Sequence, residues 1–280
     1  MARKVILSRK GFDSKSGGKP SPILNGNLIS LPIPRAGSGD FYSDLAISPT
    51  ESYLDVMQGL GIKHHYEGHL DPDIRKSILQ NRPVEWRGLF GQSGPSEGLL
   101  NKMKVGIGDI FLFFGWFKEA KIVDGKWKYI HNAKNIHAIY GYLEVDEVFD
   151  IKNGEVLPSW ANYHQHFRNR EEYGTKRNVI YMATESFTAS SEKLGYGVFK
   201  YNEDLVLTKQ GSKKRSLWEL PSCFQEEKQK FKCGLSEWNV NNDGCVETQP
   251  LGQVQEIYVS DNPKVVAWAE KLISNCSVYK

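Results

Sequence analysis

Two segments in the middle of the chain constrain the fold most. Residues 109–117 read DIFLFFGWF, and residues 138–151 read AIYGYLEVDEVFDI. Both are rich in aromatic and β-branched residues and are bounded by turn formers, which is strand chemistry. The Gly108–Asp109 turn feeds the first strand, and Gly141 interrupts the second between Tyr140 and Tyr142. A glycine inside a strand marks a sharp bend or close backbone approach. The pair therefore predicts a tightly coiled sheet, of the kind found in a small barrel.

Shorter strand signals surround this centre: KVILSR, NLISLPI, RNVIYMA, GVFKY and EIYVS. Helical signals are fewer. Ser48–Gly61 places Leu54, Met57 and Leu60 near helical spacing, and Asp71–Gln80 starts with an Asp–Pro pair suited to a helix N-terminus. The clearest helix begins at Asp261 or Asn262 and Pro263 and ends near Asn275, with Val265, Val266, Ala269, Leu272 and Ile273 on one face. Ala36–Asp40 and Gln225–Cys245 read as loops. No repeat or low-complexity linker divides the 280 residues. The expected class is α+β, a mixed sheet or small β-barrel with peripheral helices, as one domain over residues 1–280.

A hydrophobic fraction of 40% supports a sizeable core, and the formal net charge of +3 excludes the global basic field of a non-specific DNA coater. The amino terminus is basic but lacks the apolar stretch of a secretory signal, and no run approaches the roughly 18 apolar residues of a membrane span. Cys223, Cys233, Cys245 and Cys276 form no C-x-x-C pair, which argues against a zinc ribbon and for reduced thiols. The expected location is cytoplasmic, with no membrane partner.

The opening segment concentrates groups that can bind. A short apolar strand, VIL, runs into Ser8, Arg9, Lys10, Asp13 and Ser14, then Gly17 and Gly18, then Pro20, Ser21 and Pro22. Arg9 and Lys10 suit a phosphate or carboxylate. Asp13 can accept from a sugar or base, act as a general base, or simply anchor a turn. The glycines let backbone amides approach an anion. Neither a phosphate-loop lysine nor a dinucleotide fingerprint follows, so a standard nucleotide-cofactor loop is excluded.

Four further constellations stand out. In Trp86–Gly98, WRGLFGQSGPSEG, Gln92 can read an adenine edge or orient water, unless the segment is a plain glycine-rich connector. In Asn162–Arg170, NYHQHFRNR, His164 and His166 share one face of a strand. They can be structural, contact substrate with Arg168, or bind a metal, although no third ligand is evident. His64, His65 and His69 near Asp71 match no zinc signature. Lys209, Lys213, Lys214 and Arg215 precede Trp218, a run that is either solvated or set against a nucleic-acid backbone. The sequence leaves any cofactor open, and no residue is assigned to a metal.

The central segment, residues 103–151, resembles the PUA-like superfamily of EVE, ASCH and YTH domains through Gly108, Asp109, Phe111, Phe113 and Phe114, then Ile139, Gly141, Leu143 and Val145. That resemblance implies a pseudobarrel holding a modified base between aromatic residues, with Trp116 at the pocket mouth. Over nearly the whole chain, SRKGFDS with its Gly–Gly and PSPI, then SLPIP, FGQSG and LWELP, resembles the nucleotide modification associated domain 3 family. This implies a role around modified nucleotides or nucleic acid. The expected function is recognition or processing of a modified nucleotide or DNA base. Asp13 and His164 are the catalytic candidates. Ser8, Arg9, Lys10, Ser14, Gly17, Gly18, Gln92, Trp116, His166 and Arg168 are the substrate-binding ones. The alternatives are a non-catalytic base-binding module or a small-molecule transferase or hydrolase.

Overall fold

A computed structural model describes residues 2–227, 234–252 and 254–279. The elements that position the site are, in chain order, strands β1 (Val5–Arg9) and β2 (Ser21–Leu24), helix α1 (Tyr53–Gly59), strand β3 (Leu89–Ser93) and helix α2 (Gly94–Lys102). Two long strands follow, β4 (Ile110–Val123) and β5 (Ile136–Asp150). After them come the short helix α3 (Gln165–Arg168), β6 (Asn178–Ala183), β7 (Tyr196–Phe199), β8 (Trp218–Leu220), β9 (Leu235–Val240), β10 (Val246–Pro250), β11 (Glu256–Ser260) and α4 (Pro263–Asn275).

The main sheet is mixed and runs β11-β1-β4-β5-β6-β3, with β2 added to β4 and β7 to β5. β1 and β2 both pair parallel to β4 on successive stretches: Arg9 faces Phe114, and Ser21 faces Phe117. Eleven residues between them therefore leave the sheet while β4 advances past only Gly115 and Trp116. A Cβ at Gly115 would lie 2.9 Å from the Lys10 carbonyl oxygen, so the departing loop presses on β4 where it carries no side chain.

The first half of β4 is buried on both faces. Phe111 and Phe113 point one way and meet Phe90 of β3, with ring centroids 4.8 and 5.1 Å away. β3 lies three strands from β4 in the ladder, so this contact requires the sheet to curl until its far edge returns. Phe114 points to the other face and packs edge-on against Trp218, centroids 4.9 Å apart, beneath the small β8-β10-β9 sheet. The bulge between Ile139 and Gly141 bends β5 at the same level.

The sheet does not close into a barrel among the described residues. Its edge strands β3 and β11 have no backbone ladder; the Gln92 side-chain amide donates to Glu256 across the gap at 2.5 Å. No helix among these residues is long and apolar enough to cross a membrane. Cys245 and Cys276 are free thiols, and Cys233 lies outside the described residues.

Helix α4 starts and ends as expected, with the Asn262 side chain accepting from Lys264 N–H and Val265, Ala269, Leu272 and Ile273 buried. Other segments differ from expectation. Helix α1 starts only at Tyr53, where Ser52 and Asp55 form a reciprocal capping box. Asp71–Gln80 is not a helix beyond a single turn at Lys76–Ile78. Asp73 instead exchanges backbone hydrogen bonds with Leu89, drawing this segment against β3. The 86–98 segment is no mere connector, since it supplies β3 and the start of α2. Gln225–Cys245 contains strand β9, while its residues 228–233 lie outside the described ones. Trp218 is fully buried and donates to His137 Nδ1 at 2.9 Å, so it is a core residue and not a nucleic-acid platform.

Two stability predictions follow from this packing. A Cβ at Gly141 would stand 2.3 Å from Ile74 Cδ1 and 2.8 Å from the Gly197 carbonyl oxygen. Gly141→Ala should therefore cost about 1–3 kcal/mol in urea unfolding. Trimming Ile74 to alanine as well should not restore it, because the Gly197 backbone remains. Burial raises the Glu97 carboxyl to about 7 from 4.5, offset in part by Tyr181 O–H and Arg177. Its contribution is thus complete below about pH 4.5 and lost as pH rises through about 7. Glu97→Gln should match the parent near that lower pH and exceed it at pH 8 by about 2 kcal/mol. Urea midpoints that show no growing gap with pH would mean that Glu97 is ionised in the fold.

Candidate functional site

The cleft opens where the chain leaves the edge of β4. It measures about 270 Å³ and lies between the loop of residues 10–16, Arg35, the end of β3, and the pair His69 and Asp71. His166, Tyr173 and Gln255 complete its walls.

One end is cationic. Lys10 is buried, with Nζ 4.5 Å from the centroid of the Phe90 ring and 3.4 Å from Glu256 Oε1. Glu256 is fully buried at the start of β11 and also accepts from Ser8 Oγ at 3.1 Å and from Gln92. Three side chains thus converge on Oε1 of one buried acid, whose Oε2 is buried without a partner, and the acid holds Lys10 in place. Arg9 donates to the Gly252 carbonyl at 2.7 Å, while its Nε is buried without a partner. Burial lowers the Arg9 guanidinium, Asp13 opposes that and Arg215 adds to it, so Arg9 is a cation short of countercharge. Arg35 lies against Tyr173, donating to its hydroxyl at 3.2 Å, and pairs with Glu172.

The other end holds imidazoles around a carboxylate. Asp71 Oδ1 accepts from the Gly91 amide at 2.8 Å. Asp71 Oδ2 lies 3.6 Å from His69 Nε2 and 3.5 Å from His166 Nε2. His164 Nε2 lies 3.6 Å from Oδ1. Burial alone would raise the Asp71 carboxyl; the surrounding His164, His69 and His166 outweigh it and hold the acid well below the usual carboxylate range. Burial pushes His166 well below the usual imidazole range, although Asp71 pulls the other way. A Cβ at Gly91 would stand 2.3 Å from the His166 ring, so the ring occupies the space glycine leaves.

The residues singled out by sequence divide into two groups. Arg9, Lys10, Asp13, Gln92 and His166 line this cleft together. Asp13 Oδ1 accepts from the amides of Lys15 and Ser16, at 2.8 and 2.7 Å, so that oxygen anchors the turn. Gly18 donates its amide to the Asp13 carbonyl and closes the same loop, and Gly17 leaves room for the Phe12 ring. The Gly18 amide is therefore spent within the loop and not offered to an anion. Ser8 sits below the floor, bracing Glu256. The Gln92 amide is engaged by Glu256, Gln255 and Ser93 and is not free to read a base edge.

Ser14, Trp116 and Arg168 lie outside the walls. Arg215 donates to Ser14 Oγ and covers the Trp116 ring at 4.1 Å, beside the loop. Arg168 is held by Asp40 and by the Ser38 carbonyl. His164 and His166 are not on a strand: His164 caps α3 and His166 is inside it. His164 is 1% exposed and stands behind Asp71, so it meets the carboxylate and not the cleft.

Sequence reasoning missed Arg35, Tyr173, Gln255 and Glu256, and took Asp71 as a helix cap. An Asp–Pro pair two residues after His69 was the available signal. His64 and His65 take no part.

The family model for nucleotide modification associated domain 3 matches residues 4–257. No curated protein and no solved structure matches the chain. The match covers most of the chain, including both ends of the cleft, and the chain belongs to the nucleotide modification associated domain 3 family.

Proposed function

We propose that this protein recognises or processes a modified nucleotide, or a modified base in nucleic acid, in the cleft between the opening loop and the histidine cluster. The observation that carries this reading is convergence: Arg9, Lys10 and Arg35 share one cleft of about 270 Å³ with His69, Asp71 and His166. The cations suit a phosphate, and undercompensated Arg9 gains most from one. The volume is near the lower end for ligand pockets, roughly 300–1,000 Å³, which fits one nucleotide unit. A base in a duplex would have to be flipped out to enter. Ser14, Arg215 and Trp116 adjoin the loop and would meet a flanking nucleotide, with Arg168 farther off. In a catalytic reading, Asp13 and His166 are the groups in reach of a bound ligand. His164 then positions Asp71, and a transferase or hydrolase step on base or sugar is the natural class.

One observation favours a purely binding role: Asp13 spends one carboxylate oxygen on its own turn. Asp13→Asn separates the readings, because the amide oxygen can keep the turn while the base is lost. As an acid–base group, Asp13 should lose about 10²-fold or more in turnover on this change; as a binding residue it should alter affinity alone. The proposal itself is tested by calorimetry with nucleoside monophosphates and short single strands carrying modified or unmodified bases. Arg35→Ala should weaken binding about tenfold and reduce the salt slope for single strands by about 0.7. Equal binding of modified and unmodified ligands would sink the reading.

A further inference from the structure

We propose that His69, Asp71 and His166 bind a first-row divalent metal ion, such as zinc, iron(II) or manganese(II), on the floor of the cleft. The ligand atoms of the three residues lie within 4.8 Å of one another. The assignment concerns the metal alone and stands whether or not the cleft takes a nucleotide.

The distances do not fit a hydrogen-bonded cluster. Asp71 Oδ2 stands 3.6 Å from His69 Nε2 and 3.5 Å from His166 Nε2, beyond good hydrogen-bond length. They do fit neighbouring ligands on one ion: with bonds of roughly 2.0–2.2 Å, the edge of a tetrahedron is roughly 3.4 Å.

The outer contacts then set which ring nitrogens carry protons. His166 Nδ1 lies 2.6 Å from Asn178 Oδ1, and Asn178 Nδ2 donates to the His166 carbonyl at 2.7 Å. The amide is thereby oriented, its oxygen accepts, and His166 Nδ1 carries the hydrogen. His69 Nδ1 meets Gln165 Oε1, whose amide nitrogen donates to Asp40 and to the Gly68 carbonyl. His69 Nδ1 is likewise the donor, although Arg35 Nη1 also lies 3.5 Å from it. In both rings Nε2 is left as a bare lone pair, and both lone pairs face the same carboxylate oxygen. Acceptors opposed to an acceptor repel, and a cation among them turns the repulsion into three bonds. Imidazoles fixed through Nδ1–H to an oriented oxygen are the usual support of metal ligands.

Two more observations belong to the same site. His164 Nε2 is aimed at Asp71 Oδ1, and this 1% exposed residue has no hydrogen-bond partner there. The Gly91 amide holds Oδ1, so Oδ2 stays turned toward the two imidazoles. Two imidazoles and one carboxylate form a borderline donor set, which suits zinc, iron(II) or manganese(II) better than calcium. The remaining positions of the ion would face the cleft, open to water or to an anionic ligand oxygen held by Arg9 and Arg35.

The test uses the full chain stripped with chelator and titrated with cobalt(II) and zinc(II), followed by calorimetry and the visible cobalt spectrum. One ion per chain should bind, with visible bands and a raised melting temperature, and calcium should not compete. His69→Gln, Asp71→Asn and His166→Gln should each weaken binding at least about tenfold. Circular dichroism identifies which variants fold. His69 is the most exposed ligand, at 11% of its side chain, so His69→Gln is the variant that keeps the test decisive if Asp71→Asn does not fold. Failure of the parent to bind either ion, or a folded His69→Gln that binds with unchanged affinity, overturns the assignment. Cobalt binding without nucleotide binding would keep the metal site and reject only the proposed function.

Discussion

The structure depends on one shared edge. Strand β4 offers a single parallel edge, β1 takes its first half and β2 its second, and the loop between them leaves the ladder after the Lys10 amide donates to Phe114, with Phe12 donating to Leu31 and the turn beyond bonding to itself. That loop closes through Asp13, whose carboxylate replaces the missing ladder with two side-chain acceptor bonds. The polar residues of the opening segment are thus explained twice. They finish the backbone bonding of a loop that has left a sheet, and they leave Arg9 and Lys10 standing at its rim.

Curling brings the second requirement. Phe90 can touch Phe111 and Phe113 only if β3 returns toward β4, and this brings the edges β3 and β11 face to face. A backbone ladder there would make a barrel. Instead Glu256 is buried between the edges, and Ser8, Lys10 and Gln92 all engage its Oε1. A buried carboxylate with three side-chain partners is costly to expose and costly to leave bare. It therefore holds the edges together and apart at once, and the cleft occupies the remaining gap.

Much of the fold was legible in the chain because it rests on local chemistry. The two long strands, the edge strand β11 and α4 follow from composition, Pro263 and the cap at Asn262, whereas the glycines around Leu89–Ser93 hid the other edge strand, β3. Asp71–Gln80 was misread because its helix-start signal is local while its fate is set at long range: Asp73 pairs with Leu89, and Asp71 accepts from Gly91. The site was legible in part. Arg9, Lys10, Asp13, Gln92 and His166 could be singled out because polar groups crowd beside strands. Glu256 could not, because a lone acid opening EIYVS carries no local mark of burial. Trp218 shows the converse: an aromatic beside basic residues reads as a binding platform, whereas it is core; Trp116, placed at a pocket mouth by the PUA-like resemblance, lies outside the cleft under Arg215.

The two ends of the cleft differ in how their charge is balanced, and this gives it a direction. At the loop end, Lys10 is matched by Glu256, whereas Arg9 has a buried nitrogen with no partner and is partly stripped of water by burial. At the far end, one carboxylate is held ionised while burial keeps the neighbouring His166 neutral. An anionic group entering the cleft gains at the loop end and is repelled at the far end unless the charge of Asp71 is offset. For the nucleotide proposed above, this polarity would direct the phosphate to the loop end. That polarity depends on the tautomers of His69 and His166, which are set by Gln165 and Asn178. Two neutral amides on α3 and β6 that do not line the cleft thus orient the rings that do.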